Sequence, residues 1–131
     1  MATALTDAPM DAPARTVRPR TARPRGLTVQ VSVDEHDVVT VRAAGNLDIY
    51  TASRLRQRMG RHDLAAGRVV LDVSAVTLVD SAGLGTLMSF ANRARQGGSR
   101  LSLVCTPRLA ELLEIAHLAD AFDLILVAEA K

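Results

Sequence analysis

Aromatic side chains are nearly missing from this chain: tryptophan is absent, and Tyr50, Phe90 and Phe122 complete the set. The core must therefore be built from Leu, Val, Ile and Ala, and no series of rings is available on which unpaired bases could stack. Cys105 is the one cysteine. A lone cysteine makes no intramolecular disulfide framework, which fits a reducing compartment; at the end of an apolar run it packs as a small hydrophobe. Lys131 is the one lysine. Its position excludes a P-loop at Gly83-Leu84-Gly85. It also excludes a phospho-acceptor aspartate at Asp72 or Asp80, a chemistry that needs a lysine at a strand end. No apolar run reaches the length of about 18 residues that spans a bilayer, so membrane insertion is not expected. The apolar core of about seven residues that a secretory signal requires is missing too. A cytoplasmic protein is expected.

Charge and proline are unevenly spread. Residues 1–26 hold four of the five prolines, five arginines (Arg15, Arg18, Arg20, Arg23, Arg25) and two acids, a balance of +3. With almost no large apolar residue to offset the entropy of ordering, residues 1–26 are expected to be a disordered Arg/Pro-rich tail. Residues 27–131 hold eleven basic and twelve acidic residues, a balance of −1. The basic isoelectric point thus describes an arm, and nucleic acid is not an expected partner of the remainder. Those 105 or so residues suffice to bury roughly two-thirds of their extended-chain surface.

Leu27, Val29, Val31 and Val33 alternate with Thr28, Gln30 and Ser32, the period of a half-buried strand. A short polar turn at Asp34–Asp37 leads to a second strand over Val38–Ala43, which predicts an antiparallel hairpin. Gly45-Asn46-Leu47-Asp48 reads as a turn-rich link. Ala52, Leu55 and Met59 have helical spacing, with Arg54, Arg56, Arg58 and Arg61 largely opposite. A strand follows from Arg68 to Val73. A helix is predicted from Ser81 to about Gln96, striped by Leu84, Leu87, Met88 and Ala91 and stopped by Gly97-Gly98. Leu101–Cys105 is the next strand; Thr106-Pro107 reads as cap and first position of a third helix, striped by Leu109, Leu112, Leu113 and Ala116. Leu124–Val127 makes a short last strand. The unit from 68 to 105 predicts a parallel crossover. Polar Asp72, Ser74 and Ser102 at alternate positions argue against a sheet covered on both sides. The expected architecture is α/β, with a mixed four- to five-stranded sheet and helices mainly on one face.

The chemistry concentrates where an apolar strand ends in Asp80-Ser81 and small residues open a helix. Backbone N–H groups and the helix dipole there favour negative charge, so a phosphate on Ser81 would be tolerated locally and would alter the surface met by a partner. Ser81 could equally cap the helix, as could Asp80. A nucleophilic serine is not expected: Val79 stands where the hydrolase elbow needs glycine, and His36, His62 and His117 lie on no motif that supplies a base. Those histidines also lack metal-site spacing, so neither a metal nor a cofactor is expected. Gly83 and Gly85 would let another backbone approach the helix start. Asp48, in a turn, would ordinarily form an Asx-turn or cap the following helix.

Taken together, Gly45-Asn46-Leu47-Asp48, Thr51-Ala52, Val70-Leu71-Asp72, Val79-Asp80-Ser81-Ala82-Gly83-Leu84-Gly85 and Leu101-Ser102-Leu103-Val104 before Thr106-Pro107 resemble the STAS domain, over about residues 27–127. More narrowly, the chain is similar to single-domain bacterial anti-sigma-factor antagonists, which are not enzymes. The resemblance implies a STAS-like domain over 27–131, Ser81 as phosphoacceptor and a partner surface of Asp48, Thr51, Asp80, Ser81, Gly83 and Leu84. It implies as partners an anti-sigma factor that is a serine kinase with a Bergerat-type ATP site, and a phosphatase. The unphosphorylated form would bind the anti-sigma factor and free the sigma factor; phosphorylation of Ser81 would end the complex. The alternative within the same family is a non-switching scaffold or ligand-sensing subunit, for example of a lipid-transport complex, in which Ser81 is only a cap. Two positions depart from the pattern. Ala82 replaces a frequent second hydroxyl, and Asn46 replaces a common glutamate.

Overall fold

The computed structural model describes residues 26–128; the expected tail, apart from Gly26, lies outside them. The element order is β1 (Leu27–Val33), β2 (Val39–Leu47), α1 (Ala52–Met59), β3 (Val69–Val79), α2 (Ser81–Gln96), β4 (Leu101–Cys105), α3 (Pro107–Ile115) and β5 (Phe122–Leu126). The strands form one sheet in the order β1-β2-β3-β4-β5. β1 and β2 pair antiparallel, as a short polar turn requires, and every later pair is parallel. The mixed sheet and the crossover are those expected from the sequence.

One face carries the core. Val41, Ala43, Leu71, Val73, Leu101, Leu103, Cys105 and Phe122 are buried against Leu55 and Met59 of α1, Leu87, Phe90 and Ala94 of α2, and Leu109 and Leu113 of α3. The opposite face is polar: Thr28, Gln30 and Ser32 are exposed. Asp72 is buried there only because its charge is matched. Arg42 Nε donates to its Oδ2 at 3.2 Å, and the Ser74 N–H and hydroxyl donate to its Oδ1 at 2.9 and 2.7 Å. Burial of a carboxylate is affordable under those conditions.

Two elements differ from the sequence expectation. Gly45–Leu47 is not a turn but the end of β2, and β3 runs eleven residues, to Val79. The cause is a pair of register shifts between β2 and β3, at Arg42/Ala44 and Gly45/Asn46. Each places one extra residue on β3, and each extra residue reverses which side chains face the core. Val76 and Val79 consequently pack against the core, whereas Leu78 is half exposed on the other side. A strict period of two fails past Val73 for that reason.

The helices begin and end close to expectation, but their buried stripes are turned. In α2 the centre is Gly83, Thr86, Leu87, Phe90, Ala91 and Ala94, with Leu84 and Met88 on its flank. In α3, Leu109 and Leu113 are buried, while Leu112 and Ala116 are exposed. β5 starts at Phe122, two residues before the predicted position.

Candidate functional site

β3 ends at Val79, and Asp80 turns the chain into α2. Asp80 is the N-cap: its Oδ1 accepts the Gly83 N–H at 2.9 Å. Ser81 is therefore the first helical residue and not the cap. Its side chain is exposed, and no described residue hydrogen-bonds its hydroxyl. The first turn carries no acidic residue, so the positive end of the helix dipole is left uncompensated beyond Asp80 itself.

The turn is held from below by β2. The Asp80 N–H donates to the Leu47 carbonyl at 3.2 Å. A Cβ on Gly83 would strike that same carbonyl oxygen, so only glycine lets α2 start this close to β2. Gly85 faces open space; the expected close approach belongs to Gly83 alone.

Asp48 closes the turn between β2 and α1. Its Oδ1 accepts the N–H of Tyr50 at 2.9 Å and of Thr51 at 3.0 Å. This is the Asx-turn that the sequence allowed for. The Thr51 hydroxyl, almost buried, donates to the Asn46 carbonyl at 2.8 Å and accepts the Asp48 N–H at 3.0 Å. Asp80 joins the two turns: its Oδ2 accepts the Ile49 N–H at 3.3 Å. Asp48, Thr51, Asp80 and Gly83 are thus one hydrogen-bonded and packed unit at one end of the sheet, with Ser81 beside it. Of the six residues expected to meet a partner, Ser81 is exposed and Asp48, Asp80 and Leu84 are half-buried; Thr51 and Gly83 are buried supports.

Sequence reasoning missed Ile49 and Tyr50, which are 67% and 88% exposed in that same turn. Two large apolar residues between Asp48 and the helix cap, with nothing at helical or strand spacing to pack against, were the available signal. Exposed side chains of this kind are common anchors of protein interfaces. Elsewhere, Cys105 is buried at the end of β4, and burial pushes its thiol pKa up. Among the described residues no group of His, Cys, Asp and Glu could hold a metal ion, and no helix is long and apolar enough to cross a membrane.

A five-stranded mixed sheet with helices on one face, and a capped turn presenting one free hydroxyl at a helix start, defines an α/β domain of the STAS class. Residues 30–130 match the STAS domain family. The chain is 30% identical to the anti-sigma-B factor antagonist of Bacillus subtilis, covering 75% of this chain and 90% of that protein. It is 28% identical to that of Listeria monocytogenes, over 75% and 88%. The crystal structure of an anti-sigma factor antagonist from Mycobacterium paratuberculosis superposes with a TM-score of 0.68 at 26% identity, covering 81% of this chain and 91% of that one. The chain belongs to the STAS domain family, among its anti-sigma factor antagonists.

Proposed function

We propose that this protein is a partner-switching anti-sigma factor antagonist controlled at Ser81. Unphosphorylated, it binds an anti-sigma factor that is itself a serine kinase and so releases the sigma factor. Phosphorylation of Ser81 by that kinase ends the complex, and a phosphatase restores it. The observation that carries this reading is the free, exposed Ser81 hydroxyl: Asp80 does the capping, so Ser81 has no structural task to explain it.

The electrostatics support such a switch. A phosphate adds about −1.5 to −2 charges at pH 7. In the free protein, water and the start of α2 accommodate it. Against a docked carboxylate at about 6 Å, each unit of charge costs roughly 2.8 kcal/mol at an effective dielectric of about 20. Binding is then lost without refolding. The test is incubation of the protein with ATP and the serine kinases of the same genome, read by intact mass. Gain of one phosphoryl group by the wild type and none by Ser81→Ala supports the assignment. Equal labelling of both places the acceptor elsewhere.

A further inference from the structure

Two neighbouring helices are built without a single acidic residue. α1 carries Arg54, Arg56 and Arg58, α2 carries Arg93 and Arg95, and Arg61 follows α1 directly. Arg58 is half-buried and the other five are exposed. Both helices cross between parallel strands on the core face, so they run in the same direction. The Arg56 guanidinium joins them by donating to the Thr86 hydroxyl at 3.2 Å. Among the described residues no carboxylate lies within ion-pair distance of any of the six; the paired arginines, Arg42 with Asp72 and Arg100 with Asp123, stand elsewhere. Helix electrostatics asks for less than this. The dipole favours cations in the last turn, which both helices have, but it equally favours an acid in the first turn, and neither helix has one there. The remaining exposed positions of the two helices are Ser, Gln, Asn or Gly, with no apolar side chain among them. Carboxylates border the patch: Asp48 and Asp80 at the helix starts, Asp63 beyond Arg61, and exposed Glu111 and Glu114 on α3.

We propose that the arginines of α1 and α2 dock an acid-rich patch on a partner protein. The guanidinium fork matches a carboxylate through two parallel N–H donors, and a cationic patch with acidic borders fits an anionic patch of limited extent. A nucleic-acid duplex carries a charge about every 1.7 Å of its axis without a break. Laid on these helices, it would run onto the bordering carboxylates. A lipid surface would find no apolar side chain to insert. The chain's own residues outside the described ones carry the wrong charge: residues 1–25 hold five arginines against Asp7 and Asp11, and Glu129 is matched by Lys131. A second copy related by a twofold axis through the patch would set arginine against arginine. The inference does not rest on modification of Ser81.

The test uses the full chain and, as probe, an acetylated twelve-residue peptide alternating Glu with Ser, at about 0.1 M salt, where charges more than about 10 Å apart are largely screened. Saturable binding is expected, with amide shift changes concentrated in α1, Arg61 and the last two turns of α2. The same peptide with Gln for Glu, a control that needs no protein variant, should leave those amides unmoved. Affinity should fall at least about fivefold with Arg61→Gln/Arg93→Gln/Arg95→Gln and stay within about twofold with Arg18→Gln/Arg23→Gln/Arg25→Gln. Absence of binding overturns the proposal, as does binding that depends on the second set of arginines as much as on the first. So does a DNA duplex or a phosphatidylglycerol vesicle that, at equal concentration of anionic groups, binds the same amides more strongly than the peptide. Self-association of the wild type that the first triple variant abolishes would give the patch to a second copy, and would overturn the proposal too.

Discussion

Ser81 and Asp80 divide two tasks that the sequence left open between them. Asp80 satisfies the Gly83 N–H and reaches back to the Ile49 N–H, which frees the neighbouring hydroxyl. Asp80→Ala removes both bonds, and loss of the cap alone costs about 0.5–2 kcal/mol; urea unfolding is the measurement. The two glycines of the motif make a paired test. Gly83→Ala drives a methyl into the Leu47 carbonyl oxygen and should destabilise by about 1–3 kcal/mol. Gly85→Ala meets nothing within 4 Å and should stabilise by up to about 1 kcal/mol, through helix propensity. Equal effects at the two positions would contradict the packing described. Local chemistry made the aspartate–serine pair legible in the sequence. It could not say which of the two caps, because both are good N-caps and only the fold around Leu47 decides between them.

At the scale of elements, the helices and the short strands were readable because their signals are local. Thr106-Pro107 starts α3, with the Thr106 hydroxyl accepting the Leu109 N–H at 3.3 Å, and residues 81–96 and 101–105 are the predicted spans. β2 and β3 were read too short because bulges reverse the alternation, and a bulge is a property of a strand pair. β3 runs on past β4, and Asp80 at its end bonds the turn of Asp48–Thr51. Ile49 and Tyr50 project from that turn, largely exposed. Ile49→Ala and Tyr50→Ala should leave the melting temperature within a few degrees and weaken binding to the anti-sigma factor by about tenfold or more. Titration calorimetry with the purified partner reads this directly; unchanged affinity in both variants would move the docking surface away from the turn.

For the whole molecule, scarcity of aromatics is met by packing Leu, Val and Ala against two phenylalanines, Phe90 and Phe122, with Cys105 sealed among them. Cys105 is buried, which keeps reagents from its thiol while the fold is intact and also raises the thiol pKa. Iodoacetamide should therefore label it only on unfolding. The core ties β2, β3 and α2 into a frame that has no need to move for binding to change. In the function proposed above, the switch is a change of charge on a fixed surface, and that is the claim on which the functional account depends. The most direct measurement compares the affinity of the unmodified and fully Ser81-phosphorylated protein for the anti-sigma factor, with amide shifts recorded on both free forms. A loss of at least about a hundredfold, with shift changes confined to the surroundings of Ser81, is the expected result. Equal affinities for the two forms, or a loss accompanied by rearrangement throughout the core, would contradict it.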